Sequence, residues 1–229
     1  MLSQTCFLLS YVKYGDKGAV LNCFSRNNGY ESFFAPNIYA PRNRQKSYLF
    51  PLQEIQITFA AKKRGDSLQN VLKIEKAENT EEVNNVNVNS ILFFIADLLN
   101  QILKEEQHSE KMYDEIKMFL GELNLKNYDA HIGLIFRILL RQGISPLFAD
   151  LRYVNPESGN FTDQQSVQLF DEEITGVWKN FITSENIYGI KLPRNLRKKM
   201  IQSLMYYYSL HIDGFREPVS LSIIQQIYD

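Results

Sequence analysis

Cysteine is scarce. The 229 residues hold two, Cys6 and Cys23, too few for a disulfide framework or a four-cysteine zinc site. Both fall inside apolar stretches and read as packed small hydrophobes. Histidine occurs three times, at His108, His131 and His211, in different predicted segments and without an H-E-x-x-H pairing. No Walker A loop, G-x-G-x-x-G or G-x-S-x-G occurs either. The acidic runs Glu105-Glu106 and Asp171-Glu172-Glu173 sit on predicted helices, where a solvated face is the ordinary reading. No enzyme is expected from such a chain, and no metal or cofactor.

Long hydrophobic runs are missing too. The best candidate, ILFFIADLL at 91–99, is interrupted by Asp97 and falls short of the ~20 residues a membrane span needs. CFLLSYV near the start is short, lacks a basic leader and runs into Lys13, so no signal peptide is expected. These absences point to a soluble protein in a reducing, cytoplasmic setting, with no membrane partner.

What is present is a core and a segregated charge. Hydrophobic residues make up 45% of the chain and charged residues 22%, a balance that folds rather than stays disordered. The formal net charge is −1, yet residues 1–80 carry 11 Lys/Arg against 6 Asp/Glu, and residues 81–130 carry 4 against 10. Such asymmetry suggests a face for a polyanion.

The first 80 residues read as β-structure. Gln4–Tyr14 and Lys17–Arg26 are rich in Val, Leu, Phe and Tyr, with Gly15-Asp16 as a hairpin signal between them. Tyr30–Ala40, Leu49–Ala61 and Leu68–Ala77 supply three more strands. Five short strands with turn-rich joints suit a small barrel, of which the OB-fold is the commonest kind. After a polar linker, put at 81–88, the period becomes helical. Helices are expected over Ile91–Ile102 with Asn89 or Ser90 as N-cap, over Met112–Leu120 ending near Gly121, and over Ile132–Leu140 stopped by Gly143 and Pro146. An irregular insertion follows at 149–165, then helices at 166–184, 194–211 and 219–228. The expected class is α+β: an OB-fold barrel at 1–80, a linker, and a mainly helical domain at 89–229.

Cations gather at particular places. RNRQKSYLFPLQEIQITFAAKKR (42–64) sets Arg42, Arg44 and Lys46 before a predicted strand and Lys62, Lys63 and Arg64 after it, with Glu54 as the lone acid between them. Lys13, Lys17 and Arg26 lie in the same predicted barrel, interleaved with Tyr11, Tyr14, Tyr30, Tyr39 and Tyr48. Cations neutralise phosphates and release counterions, and rings offer platforms for bases not held in a duplex. A second basic run, KLPRNLRKK at 191–199, opens a predicted helix, where its cations oppose the macrodipole. It reads equally as a solvated face or as a site for a phosphate or an acidic peptide.

The order of YGDKGAVLNCFSRNNGYESFF, YLFPLQEIQITF, HIGLIFRILLRQGISPLF and YYYSLHIDGF, followed by SLSII, resembles the recombination mediator RecO in its Bacteroidetes-like form. The likeness runs from about residue 4 to 228. It implies an N-terminal OB-fold and a helical domain, and a protein of the bacterial cytoplasm, associated with the nucleoid. It implies binding to single- and double-stranded DNA, annealing of complementary strands and help in loading RecA. The implied partners are RecR and the acidic, apolar-ended C-terminal tail of single-stranded DNA-binding protein. Many relatives carry a four-cysteine zinc module where this chain has LFADLRYVNPESGNF, which holds no cysteine or histidine. Zinc is therefore not expected, and packing must stabilise that segment. For the acidic tail, the candidates are Arg137 and Arg141, one helical turn apart, together with Arg194, Arg197 and Lys198. Internal pairing of Arg137 and Arg141 with the acidic helices of 81–130 is the competing reading. The rival function is a protein-interaction module whose basic clusters meet acidic proteins rather than DNA.

Overall fold

A computed structural model of the chain describes residues 1–61, 68–77, 85–106 and 110–227. Lys62, Lys63, Arg64 and His108 lie outside them.

Five strands close into a barrel in the order β1-β2-β3-β5-β4: β1 (Leu2–Tyr14), β2 (Gly18–Ser25), β3 (Gly29–Ala35), β4 (Glu54–Phe59) and β5 (Gln69–Lys76). Neighbours are antiparallel except β3 and β5, which pair in parallel at Phe33–Gln69 and Phe34–Asn70. This is the OB-fold expected from the sequence. The period-2 pleat sends Cys6, Leu8, Leu21, Cys23, Phe33, Ile55, Ile57 and Ile74 into the barrel core. Cys6 and Cys23 lie against each other there, and their hydrogen bond together with burial holds the Cys6 thiol well above its ordinary pKa.

The fourth strand is shorter than Leu49–Ala61. Pro51 and Leu52 turn the chain before it, with Leu52 at φ 57°, a conformation rare outside glycine. A 3-10 segment, Arg44–Tyr48, precedes that turn, N-capped by Asn43. The third strand likewise stops at Ala35, where Pro36 and Asn37 (φ 57°) begin a turn.

The helices are α1 (Val86–Ile102), α2 (Glu110–Asn124), α3 (Ala130–Gln142), α4 (Glu172–Thr183), α5 (Arg194–His211) and α6 (Leu221–Ile227). Asn85, not Asn89 or Ser90, caps α1, its side-chain oxygen accepting from the Asn87 amide at 2.9 Å. Gly121 does not end α2, because one exposed glycine costs a helix only about 1 kcal/mol. Gly143 does end α3, in the left-handed conformation at φ 69°. α4 starts at Glu172 rather than 166 because Asp171 caps it, accepting from the Ile174 amide at 3.0 Å.

The insertion is not wholly irregular. Tyr153–Asn155 (β6) and Asn160–Thr162 (β7) form a hairpin whose Gly159 has φ +64°. Val154 is fully buried and its amide donates to Thr175 Oγ1 of α4 at 3.1 Å. Phe161 is buried beside Phe148, and His211 at the end of α5 bonds the Pro156 carbonyl oxygen at 2.8 Å. Packing holds this segment.

The chain divides into two compact units, Met1–Asp114 and Glu115–Asp229, the division falling inside α2. In the second unit α3 is buried nearly all round, and Trp178 of α4 packs on Phe136, Phe170 and Tyr207 at 5.0–5.6 Å between ring centres. Trp178 Nε1 donates to Ser203 Oγ at 2.9 Å, and Tyr208 Oη donates to the Ile135 carbonyl at 3.0 Å. Among the described residues no helix is long and apolar enough to cross a membrane, and no three His, Cys, Asp or Glu are placed to hold a metal ion.

Candidate nucleic-acid interface

One end of the barrel collects the first basic cluster. The Tyr39 amide donates to the Lys17 carbonyl at 2.9 Å, tying the turn after β3 to the β1–β2 hairpin. Lys46 Nζ lies 5.4 Å from the Tyr39 ring centre, a cation–π distance, so the 3-10 segment reaches the same place. That segment is fixed by Gln45, whose side-chain oxygen accepts from the Ile74 amide of β5 at 2.6 Å. Around this chain of contacts Lys13, Lys17, Arg42, Arg44 and Lys46 are exposed. None forms an ion pair among the described residues.

The second cluster falls between β4 and β5, on residues outside those described. On either side of it, the Ala60 amide donates to the Asn70 carbonyl at 3.0 Å and Gln69 pairs with Phe33. Both points lie at the end of β3 from which the Tyr39 turn departs.

Arg26 is elsewhere. It follows β2 at the far end from Lys17, with the strand's eight residues between them, about 30 Å at a strand's rise. It pairs with Asp114 and lies over the Tyr113 ring. The lone acid of the opening stretch is also accounted for. Glu54 is buried and accepts from Tyr113 Oη at 2.6 Å, a bond that together with burial raises the Tyr113 pKa well above its ordinary value. It does not sit among the surface cations.

The tyrosines separate into two groups. Tyr30 Oη donates to Asn100 of α1 at 3.0 Å, and burial pushes its pKa up to about 12. Tyr39 and Tyr48, both partly buried, pack on the barrel core. Tyr11 and Tyr14 are 41% and 66% exposed, and Tyr39 is half-buried beneath Lys46. Alternation does not separate them in the sequence, because the register of β1 slips between Leu8 and Ser10 and Tyr11, paired with core-facing Leu21, is nonetheless exposed. The Tyr30–Asn100 and Glu54–Tyr113 bonds span 70 and 59 residues, which no local pattern announces.

In the second unit the candidate peptide-binding cations have carboxylate neighbours. Glu115 is 1% exposed; Arg141 donates to it from Nε and an η nitrogen at 3.0 and 2.7 Å, Arg137 Nε lies at 3.6 Å, and Tyr188 Oη donates at 2.8 Å. Gly133 of α3 admits this arrangement, because a Cβ there would meet the Tyr188 ring at 2.9 Å. Internal pairing is thus the geometry of Arg137 and Arg141. Arg197 lies 3.3 Å from Asp129 and donates to the Leu192 carbonyl at 3.0 Å. Arg194 is exposed and Lys198 half-buried on the first turns of α5.

Comparison with known proteins bears on both units. Residues 1–79 match the family model described as recombination protein O N terminal. The whole chain is similar to the DNA repair protein RecO of Flavobacterium johnsoniae, 25% identical over 241 residues covering 99% of each chain. It is 23% identical to that of Flavobacterium psychrophilum over 238 residues, again 99% of each, and 26% identical to that of Azobacteroides pseudotrichonymphae over 249 residues, the full length of both.

Proposed function

We propose that this chain, RecO-like from end to end, acts in DNA repair and recombination as a DNA-binding protein that anneals complementary single strands. With RecR it would help load RecA onto DNA coated by single-stranded DNA-binding protein. The observation that carries the reading is the end of the barrel where Lys13, Lys17, Arg42, Arg44 and Lys46 are exposed around the Lys17–Tyr39–Lys46 contacts. Annealing needs no catalytic acid or base. It needs phosphate charge lowered on two strands at once, so that pairing proceeds against weaker repulsion. A cation without a carboxylate partner supplies that; a cation already paired does not.

The test is a mobility shift with single-stranded DNA across a salt series. Affinity should fall steeply with salt, by ~0.7 in log affinity per log salt for each phosphate contacted. No binding even at low salt would favour the protein-interaction module instead. For the acidic tail of single-stranded DNA-binding protein, Arg194 is the preferred first contact, because it is exposed on the first turn of α5 whereas Arg137 and Arg141 are about 30% exposed. Affinity for a peptide of that tail should drop on Arg194→Ala; unchanged affinity would return the site to Arg137 and Arg141.

A further inference from the structure

The three-stranded wall β1–β3 has an outer face that is divided in two. Residues paired across antiparallel strands share a face, so the registers place Ser10, Asn22 and Ser32 in one outward rung. Val12, Val20 and Phe34 form the next, and Tyr14 with Gly18 the last. The intervening Ala19, Leu21, Phe33 and Ala35 point into the core.

The first rung is closed. Ser32 Oγ donates to Asn22 Oδ1 at 2.7 Å, Asn22 Nδ2 to Ser10 Oγ at 2.8 Å, and Ser10 Oγ to Asn100 Oδ1 of α1 at 2.8 Å. The other two are open. Val12 is 61% and Tyr14 66% exposed, while Phe34 and Val20 are half-buried beneath them. Phe34 meets Tyr14 edge-on, with ring centres 5.7 Å apart and planes at 84°. Its ring fills the space over Gly18, where a Cβ would come within 2.8 Å of it. The glycine thus lets Phe34 brace a tyrosine that stays in solvent.

We propose that this open strip, with Tyr14 at its hairpin end, is a stacking platform for the unpaired bases of a single DNA strand whose phosphates lie on the cations at that end of the barrel. The proposal rests on the DNA-binding reading above and deepens it. Charge decides the occupant. Lys17 lies in the turn after Tyr14, Lys13 sits on the other face of β1 where it pairs with Ala19, and Arg42, Arg44 and Lys46 lie at the same end; Asp16 is the one acid of that hairpin. An apolar protein face would strip water from these cations without pairing them. A polyanion with aromatic rings satisfies the cations and the strip together. A duplex hides its ring faces in its own stack, so only unpaired bases use Tyr14. Stacking engages the ring face and leaves the Watson–Crick edge open, which is what an incoming complementary strand needs.

The experiment measures affinity at one fixed salt for three DNAs of equal length: oligo(dT), an abasic single strand and a duplex. Tyr14→Ala should weaken oligo(dT) binding roughly 5- to 150-fold, the range for loss of one base–aromatic stack, and leave the abasic strand and the duplex within about twofold. Tyr14→Phe should keep parental affinity for all three. Equal losses on oligo(dT) and the abasic strand, or no loss on oligo(dT), would overturn the platform while DNA binding itself stands. If the parent protein binds no DNA at low salt, the platform falls together with the DNA-binding reading.

Discussion

The two units use the same residue types in opposite ways. In Met1–Asp114 five cations at one end of the barrel face water. In Glu115–Asp229 five cations meet carboxylates: Arg137 and Arg141 face Glu115, Arg197 faces Asp129, Lys179 faces Asp150, and Lys199 faces Asp171 and Glu173. A count of Lys and Arg does not distinguish these states. Water-facing cations hold counterions that phosphate can displace; paired ones hold the fold. We propose ligand charge for the exposed end of the barrel and structural charge for these paired helical cations.

The largest effect belongs to the centre of the helical charge network. Glu115→Gln removes the carboxylate from Arg137, Arg141 and Tyr188 at once. Breaking a buried ion pair from one side costs about 3–5 kcal/mol. The lower end applies here, because both arginine side chains are roughly a third exposed and can regain water. Trp178, the only tryptophan, is buried in this unit, so its fluorescence in a urea titration reports the loss. Affinity for DNA at low denaturant should not change. A mutant as stable as the parent would show that the network is only surface charge.

Acid should also separate the units. His131 is fully buried on α3, with Nδ1 2.7 Å from the Tyr128 carbonyl oxygen, and burial lowers its pKa from 6.5 to about 4. Between those values the unfolded chain takes up a proton that the folded chain refuses. The stabilisation is therefore full above about pH 6.5 and is lost as pH falls toward 4, by up to about 3 kcal/mol. Stability followed at Trp178 should decline over that window, and His131→Gln should flatten the slope. An unchanged slope in the mutant would assign the acid sensitivity to carboxylates.

Much of this was legible in the sequence, and the rest was not for identifiable reasons. The barrel follows from five alternating strands, and the stop of α3 from Gly143. Four boundaries slipped where one local side chain or turn decides them: Asn85 capping α1, Asp171 capping α4, the Pro36–Asn37 turn after β3 and the Pro51–Leu52 turn before β4. At the site, the clustering of Arg42, Arg44 and Lys46 was readable because it is local. Which cations already had a partner was readable for Arg137 and Arg141 only as the competing alternative, and not for Arg26, whose pairing with Asp114 joins residues 88 apart. The open strip around Tyr14 was half readable. Its alternation is in the sequence, but α1 closing the Ser10 rung is a tertiary event.

A smaller effect, confined to binding, is expected from the barrel cluster. Replacing Arg42, Arg44 and Lys46 together by Ala should lower the salt slope of single-stranded DNA binding by up to about 2, at ~0.7 per contact. Being exposed, these residues should leave stability within about 0.5 kcal/mol of the parent. Parental binding and annealing in the triple mutant would mean that the cluster is solvated surface, and the contrast between the units would lose its functional half.

The smallest effect is expected at Arg26, which belongs to the barrel unit by sequence and to the paired cations by geometry. Its guanidinium is paired with Asp114 and set 5.3 Å from the Tyr113 ring centre, at the end of β2 away from Lys17. Both partners of the ion pair are about half exposed, so solvent screens it and its loss costs at most about 1 kcal/mol. Arg26→Ala should then bind single-stranded DNA within about twofold of the parent and keep the parental salt slope, whereas a phosphate contact would take ~0.7 off that slope. The two outcomes are separable in a single salt titration run beside the triple mutant. A reduced slope for Arg26→Ala would mean that the DNA path continues along the barrel wall past the rung closed by Asn100, and that pairing with Asp114 gives way when a phosphate arrives. A parental slope would confine the path to the end of the barrel where Lys17, Tyr39 and Lys46 meet.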